Sequence, residues 1–193
     1  MTSTTDSNEV LMTGENSFIR LSSDGGKTMS DRLSHWRVLW CPAGAGHALF
    51  MKSELTDGKV RIFSDNIAVA RWLQNTIESV LFAEFADTEL PVSTAVFDRM
   101  GDPRSTTVER IETDEDIIRM TWYDGIDPFV MNAPPGTGGR PIGVLTTFFP
   151  ARSAQLSMNG RFASGKPWAE KRDERQSSSC VLAWSETWVK PRD

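Results

Sequence analysis

Cysteine, histidine and long apolar runs are all scarce in this chain, and each scarcity removes a class of protein. Cys41 and Cys180 are the two cysteines in 193 residues, too few for a disulfide framework. The opening stretch MTSTTDSNE is polar and no apolar run of 7–15 residues follows it, so no secretory signal is read and the expected compartment is the cytoplasm, with both thiols reduced. The two histidines, His35 and His47, make no His-x-His or HExxH pattern, and no metal is expected. No stretch approaches the ~18 apolar residues of a membrane span. Positive charge is short as well. The net charge is −5, and Lys166, Lys171, Arg172 and Arg175 are interleaved with Glu170, Asp173 and Glu174. That run reads as a solvated mixed-charge loop, not the basic stripe that nucleic acid requires. Neither nucleic acid nor membrane is an expected partner.

Familiar catalytic motifs are missing too. No G-x-G-x-x-G opens a helix after a strand, and no G-x-S-x-G elbow occurs. PPGTGG (134–139) resembles a phosphate loop only superficially. Ala133 stands where its first glycine belongs, Gly139 where its lysine belongs, and Pro141 disfavours a helix directly after it. Both cysteines sit in or beside apolar strands, where burial raises a thiol pKa and silences it as a nucleophile. No cofactor is expected.

What the sequence does hold is tryptophan and alternation. Seven tryptophans stand against one tyrosine; they fill a wide core or line an aromatic cavity. Residues 1–9 are expected to be a disordered tail, and 10–193 one β-rich domain. Phe18, Ile19 and Leu21 before Asp24-Gly25-Gly26 suggest a short strand and turn. In SHWRVLWC (34–41), Trp36, Val38 and Trp40 share one face, with His35 on the other. Residues 47–55 and 59–63 flank a Thr-Asp-Gly turn, and 106–112 and 116–123 read as a hairpin. Segments 92–98, 127–131, 143–149 and 154–162 are further strands. The last strand, 179–189, places Cys180, Leu182, Trp184, Glu186 and Trp188 on one face by simple alternation. A helix is predicted over 65–84, capped by Ser64 or Asp65. Its apolar face is Val69, Trp72, Leu73, Thr76, Ile77, Val80 and Leu81, and no catalytic residue is expected there. The fold class is mainly β: an antiparallel β-barrel or curved sandwich with one amphipathic helix packed against it. The architecture resembles the calycin barrels, although the lipocalin-type Gly-x-Trp signature is absent; such likeness does not carry function.

The expected function is binding a small apolar or aromatic molecule in a Trp-lined cavity of the barrel. Cofactor-free acid–base conversion of that molecule, of lyase, isomerase or hydrolase type, would go with it. Glu186 between two tryptophans is the candidate acid or base, because desolvation raises a carboxyl pKa. His35 would assist it, and Arg119 and Tyr123 would orient the substrate. Trp40, Trp122 and Trp184 are candidate ligand contacts, and Arg140, on the glycine-rich loop 132–143, a candidate anion contact. The alternative is a non-catalytic assembly module, a homodimer formed through apolar strand faces.

Overall fold

In the computed structural model, which describes residues 8–172 and 174–192, strand is the dominant structure and the sheet curls into a nearly closed barrel. Strands β1 (Asn8–Ser22), β2 (Met29–Trp40), β3 (Gly46–Lys52) and β4 (Val60–Ser64) precede helix α1 (67–81). After it come β5 (Val92–Thr94), β6 (Val96–Gly101), β7 (Thr106–Glu112), β8 (Ile117–Gly125) and β9 (Phe129–Ala133). The chain continues through β10 (Gly143–Met158), β11 (Arg161–Phe162), β12 (Ala169–Arg172), β13 (Arg175–Ser178) and β14 (Cys180–Pro191). Of the polar opening stretch, residues 1–7 lie outside the described residues, whereas Asn8 and Glu9 already belong to β1.

The sheet runs in the order β5-β4-β3-β2-β1-β14-β10-β8-β7-β6. Every adjacent pair is antiparallel except β4–β5, which is parallel. Its two end strands, β5 and β6, are consecutive in the chain, separated by Ala95 alone. The predicted single strand 92–98 is thus split. Its first half pairs with β4 and its second with β7, so one short segment brings the two ends of the sheet together. Ala95 donates its N–H to the Ser64 carbonyl at 3.0 Å.

Two apolar layers result. The barrel interior is filled by Ile19, Leu33, Met51, Ile118, Met120 and Leu156 among others, all fully buried. The predicted face of Ile118, Met120 and Trp122 points inward as one row. A second layer lies outside the barrel, between the sheet and α1, where Trp36, Val38 and Phe50 meet Val69, Leu73 and Ile77. Burying the large apolar side chains of this helix contributes roughly 1.5–3 kcal/mol each before entropy is counted. Docking on the sheet therefore holds α1 in place.

Three local departures correct the simple alternation. Register slips where Leu11 of β1 bulges, so Leu11 and Met12 are both buried. A second slip at the end of β2 turns Trp40 away from Trp36 and Val38 and leaves it half-exposed. The third is at Ser185 of β14, which adopts a left-handed φ of 55°. There β14 carries one more residue than either neighbour between its pairings. A bulge flips every side chain after it. Cys180, Leu182 and Trp184 face the interior, while Glu186 and Trp188 face out beneath the helix layer. The predicted common face of Trp184, Glu186 and Trp188 is thereby divided.

The helix differs from expectation in a related way. Asn66, not Ser64 or Asp65, caps it, accepting from the N–H groups of Ala68 and Val69 at 3.2 and 3.4 Å. Residues 74–78 form a wide turn in which the Ser79 N–H reaches back to the Gln74 carbonyl. The buried face is Val69, Ala70, Leu73, Gln74, Ile77 and Glu78; Trp72 and Thr76 are half-buried and Val80 is exposed. A wide turn adds a residue and rotates the last part of the helix, which brings Leu81 and Phe82 onto the sheet.

Close approach of strands makes a test possible at Gly14. A Cβ there would meet the Arg37 carbonyl oxygen at 2.2 Å, a backbone atom that cannot swing aside. Gly14→Ala is expected to destabilise the fold by about 1–3 kcal/mol, as overpacking does, read as a lowered midpoint in urea unfolding with an unchanged slope.

Candidate functional site

Because the interior is filled, space opens outside it. A cavity of about 280 Å³ lies on the outer face of the sheet, walled by the end of α1, by β9 and by the 132–143 loop. Alternation along β1 sends Asn16, Phe18 and Arg20 to this face, while Ser17 and Ile19 turn inward. Val144 and Phe148 of β10 lie across from them, and Glu186 and Trp188 reach the same space because of the Ser185 bulge. Leu81 and Phe82 arrive from the helix, Met131 from β9 and Arg140 from the loop. The loop is anchored beside it by Ile142, which is buried in the outer layer.

Glu186 carries the clearest chemistry in this cavity. It is 4% exposed and accepts from the Trp188 indole N–H at 2.9 Å. Burial pushes its carboxyl up to about 8; hydrogen bonds from Trp188 and Thr146 oppose the shift, and the negative charge of Glu15 adds to it. At neutral pH the group is protonated and is a donor as well as an acceptor. A chain of polar side chains runs from the cavity wall under the helix. Asn16 donates to Ser34 Oγ at 2.8 Å, Ser34 donates to Glu78, and Trp36 donates to the same Glu78 oxygen at 2.5 Å. Burial pushes Glu78 up to about 7. A buried titrating residue thus stands on the helix face beside its apolar residues, because the face is set by docking against polar Ser34 as well as apolar Trp36.

Arginines surround the apolar floor. Arg20 lies over the Phe18 ring at 5.2 Å, Arg172 over Phe148 at 5.3 Å and Arg32 over Phe82 at 4.3 Å. Glu170 pairs with Arg20 at 2.7 Å and with Arg172 at 3.1 Å, and Glu84 pairs with Arg32 at 2.5 Å. Arg172 does not sit in the solvated loop that its mixed-charge neighbours suggest. It is half-buried because β12 and β13 form a hairpin that folds over the edge of the cavity.

The other predicted site residues do not gather here. His35 lies inside the barrel, 1% exposed, with neither ring nitrogen hydrogen-bonded among the described residues. Burial, reinforced by the positive charges of Arg99, His47 and Arg37, holds it well below its usual value. It is neutral, and its 3.9 Å approach to Glu109 is no ion pair. Phe97 packs on both histidines, tilted at 5.6 Å from His35 and stacked at 5.2 Å from His47. Arg99 binds Glu109 and reaches Glu15 at 2.7 Å; burial nonetheless pushes Glu109 up to about 7. Trp184 joins this interior cluster, with Arg99 over its ring at 5.3 Å. Trp122 is buried in the interior wall and donates to the Phe18 carbonyl at 3.1 Å. Arg119 and Tyr123 are exposed on the outer face of β8, and Trp40 is half-exposed at the end of β2. Of the predicted site residues, Glu186 and Arg140 share the cavity. Asn16, Phe18, Arg20, Arg32, Arg172 and Trp188 are cavity residues that the sequence does not mark, since no motif joins them.

Burial also silences both thiols, pushing Cys180 up to about 12 and raising Cys41. No group of three or more His, Cys, Asp or Glu among the described residues is placed to hold a metal ion. Among the described residues, no helix is long and apolar enough to cross a membrane. The fold and cavity define a β-barrel with a groove on its outer face. No known protein family, characterised protein or solved structure matches the chain.

The raised carboxyls give a sign for pH dependence. A folded-state pKa above the unfolded value of 4.5 means that the folded state holds its proton more tightly. The stabilisation is complete below the unfolded pKa, falls as pH rises past it, and is fully lost above about 8. Glu186→Gln keeps a neutral side chain at every pH. His35 acts oppositely below its ordinary value of 6.5, but it is common to wild type and variant and cancels in their comparison. The variant's melting temperature is expected to match wild type at pH 4, to exceed it already at pH 6, and to lead by about 4 °C or more at pH 9. Differential scanning fluorimetry across pH 4–9 checks the trend.

Proposed function

We propose that the protein binds a small, partly apolar organic molecule in the outer-face groove. The observation that supports this reading is a buried carboxyl, Glu186, pushed up to about 8, on the wall of a half-open groove where aromatic and aliphatic side chains are joined by four arginines. Ligand pockets are apolar concavities with a few placed polar groups, and the volume here is near the lower end of the ~300–1,000 Å³ range. The ligand is therefore small. Where the bound molecule is also converted, Glu186 is the proton donor, since a carboxyl that is protonated near neutral pH is matched to general acid catalysis. Glu186→Gln would then lose turnover while keeping affinity. The alternative, assembly through apolar strand faces, has scattered exposed side chains such as Leu39, Trp40 and Val96 behind it. A defined groove with a buried carboxyl favours the ligand reading.

Filling the groove tests it. Met131 lines the cavity from β9 and is half-buried. A panel of small aromatic and medium-chain aliphatic acids, amides and alcohols is expected to yield a ligand that raises the wild-type melting temperature by about 5 °C at a hundredfold excess over Kd. Met131→Trp is expected to remain folded and to lose that shift. Failure of the whole panel by both calorimetry and melting, or a ligand unaffected by Met131→Trp, would sink the reading.

A further inference from the structure

We propose that the groove is specific for small organic acids: the carboxylate pairs with the guanidinium of Arg140, and an aryl or acyl body lies along Phe18, Phe148 and Val144. This rests on the groove being a ligand site.

Four guanidiniums, those of Arg20, Arg32, Arg140 and Arg172, line one cavity. Among the described residues, their ion-pair partners are the carboxylates of Glu170 and Glu84. Four positive charges against these two leave an excess of two among the described residues, in a chain whose net charge is −5. Arg20, Arg32 and Arg172 are each fixed over an aromatic ring and joined to a carboxylate. Arg140 is different. Among the described residues its side chain has no hydrogen bond and no ion pair, yet it lines the cavity. It shares the cavity wall with Arg172, whose proton affinity is lowered mainly by burial and in small part by the positive charge of Arg140. Arg172 Nε is itself buried without a hydrogen-bond partner among the described residues.

An anion seated between them removes both defects. A planar carboxylate matches the guanidinium fork in a way that a point charge does not. Glu186 bears on the same choice. Were it ionised it would repel an anionic ligand in so small a space; protonated, it tolerates one and donates to it. The floor argues for an organic acid over a bare inorganic anion, since phosphate alone would make no use of the apolar lining to which Phe18, Phe148 and Val144 belong.

The test measures preference, not affinity alone. Octanoate and 4-phenylbutyrate are each titrated calorimetrically against octanamide and 4-phenylbutyramide, with inorganic phosphate as a separate competitor. Wild type is expected to prefer each acid over its amide by about tenfold, the worth of one charge-assisted hydrogen bond. Arg140→Gln is expected to bring that ratio close to one, and Arg140→Lys to restore part of it. Arg104→Gln, on an exposed turn outside the cavity, is expected to leave it unchanged. Equal affinity for acid and amide, with both lost in Met131→Trp, overturns the acid specificity and leaves the groove as a ligand site. Acid binding that survives Met131→Trp, or that inorganic phosphate displaces at equal concentration, overturns it as well. If none of the four organic probes binds while an alcohol of the wider panel does, the specificity falls and the groove reading stands; failure of the whole panel fells both.

Discussion

The whole architecture depends on one segment, residues 92–101, that hydrogen-bonds to both ends of the sheet. Its first half runs parallel to β4 and its second antiparallel to β7. That double pairing draws a long twisted sheet into a ring and leaves its two ends little free edge. It also fixes what can be inside. Once the ends meet, the interior is packed with apolar side chains, and Phe97 is pressed against His35 and His47. The groove lies on the other face. Its walls come from α1 and the β12–β13 hairpin, which lie on the outer surface, and from β9, which branches off along β10.

Burial then dictates charge. Three glutamates, Glu78, Glu109 and Glu186, are carried to places where the ionised form is disfavoured, chiefly through loss of water. Their settings differ. Glu109 is held by an arginine, Glu78 by a hydroxyl and an indole, and Glu186 by an indole in a wall that faces open space. Only an arrangement of the last kind leaves a carboxyl both neutral and approachable. Position, more than acidity, separates a structural carboxyl from a chemical one here.

Much of the barrel is legible in the sequence, because hairpins announce themselves. The turn at 56–58, the 106–112 and 116–123 pair, and the inward row of Ile118, Met120 and Trp122 all come from period-two alternation and turn residues. β1 reads as a short strand, yet it spans fifteen residues at the centre of the sheet. Its pattern is broken by the Leu11 bulge and by Gly14, which serves the close approach of β2. The site is less legible still. Its parity hinges on Ser185, a residue whose left-handed backbone nothing in the local sequence announces. Glu186 stands out in the sequence for its two tryptophan neighbours; one of them, Trp184, faces the opposite side. The arginine ring is assembled from β1, β2, a loop and the β12–β13 hairpin, and such convergence has no sequence spacing to betray it.

Placing a pocket on the outside of a closed barrel separates two tasks that a luminal pocket would merge. In a barrel that binds within, each change of ligand is also a change of core, and novelty is limited by how much repacking the ring survives. Here several groove walls are appended pieces: a helix end, a short strand, a hairpin and a loop. Substitutions on those walls leave the interior layer of Ile19, Leu33, Ile118 and Leu156 as it was. The fold is thus suited to divergence, a fixed scaffold on which the lining of the groove can drift while the ring beneath stays constant.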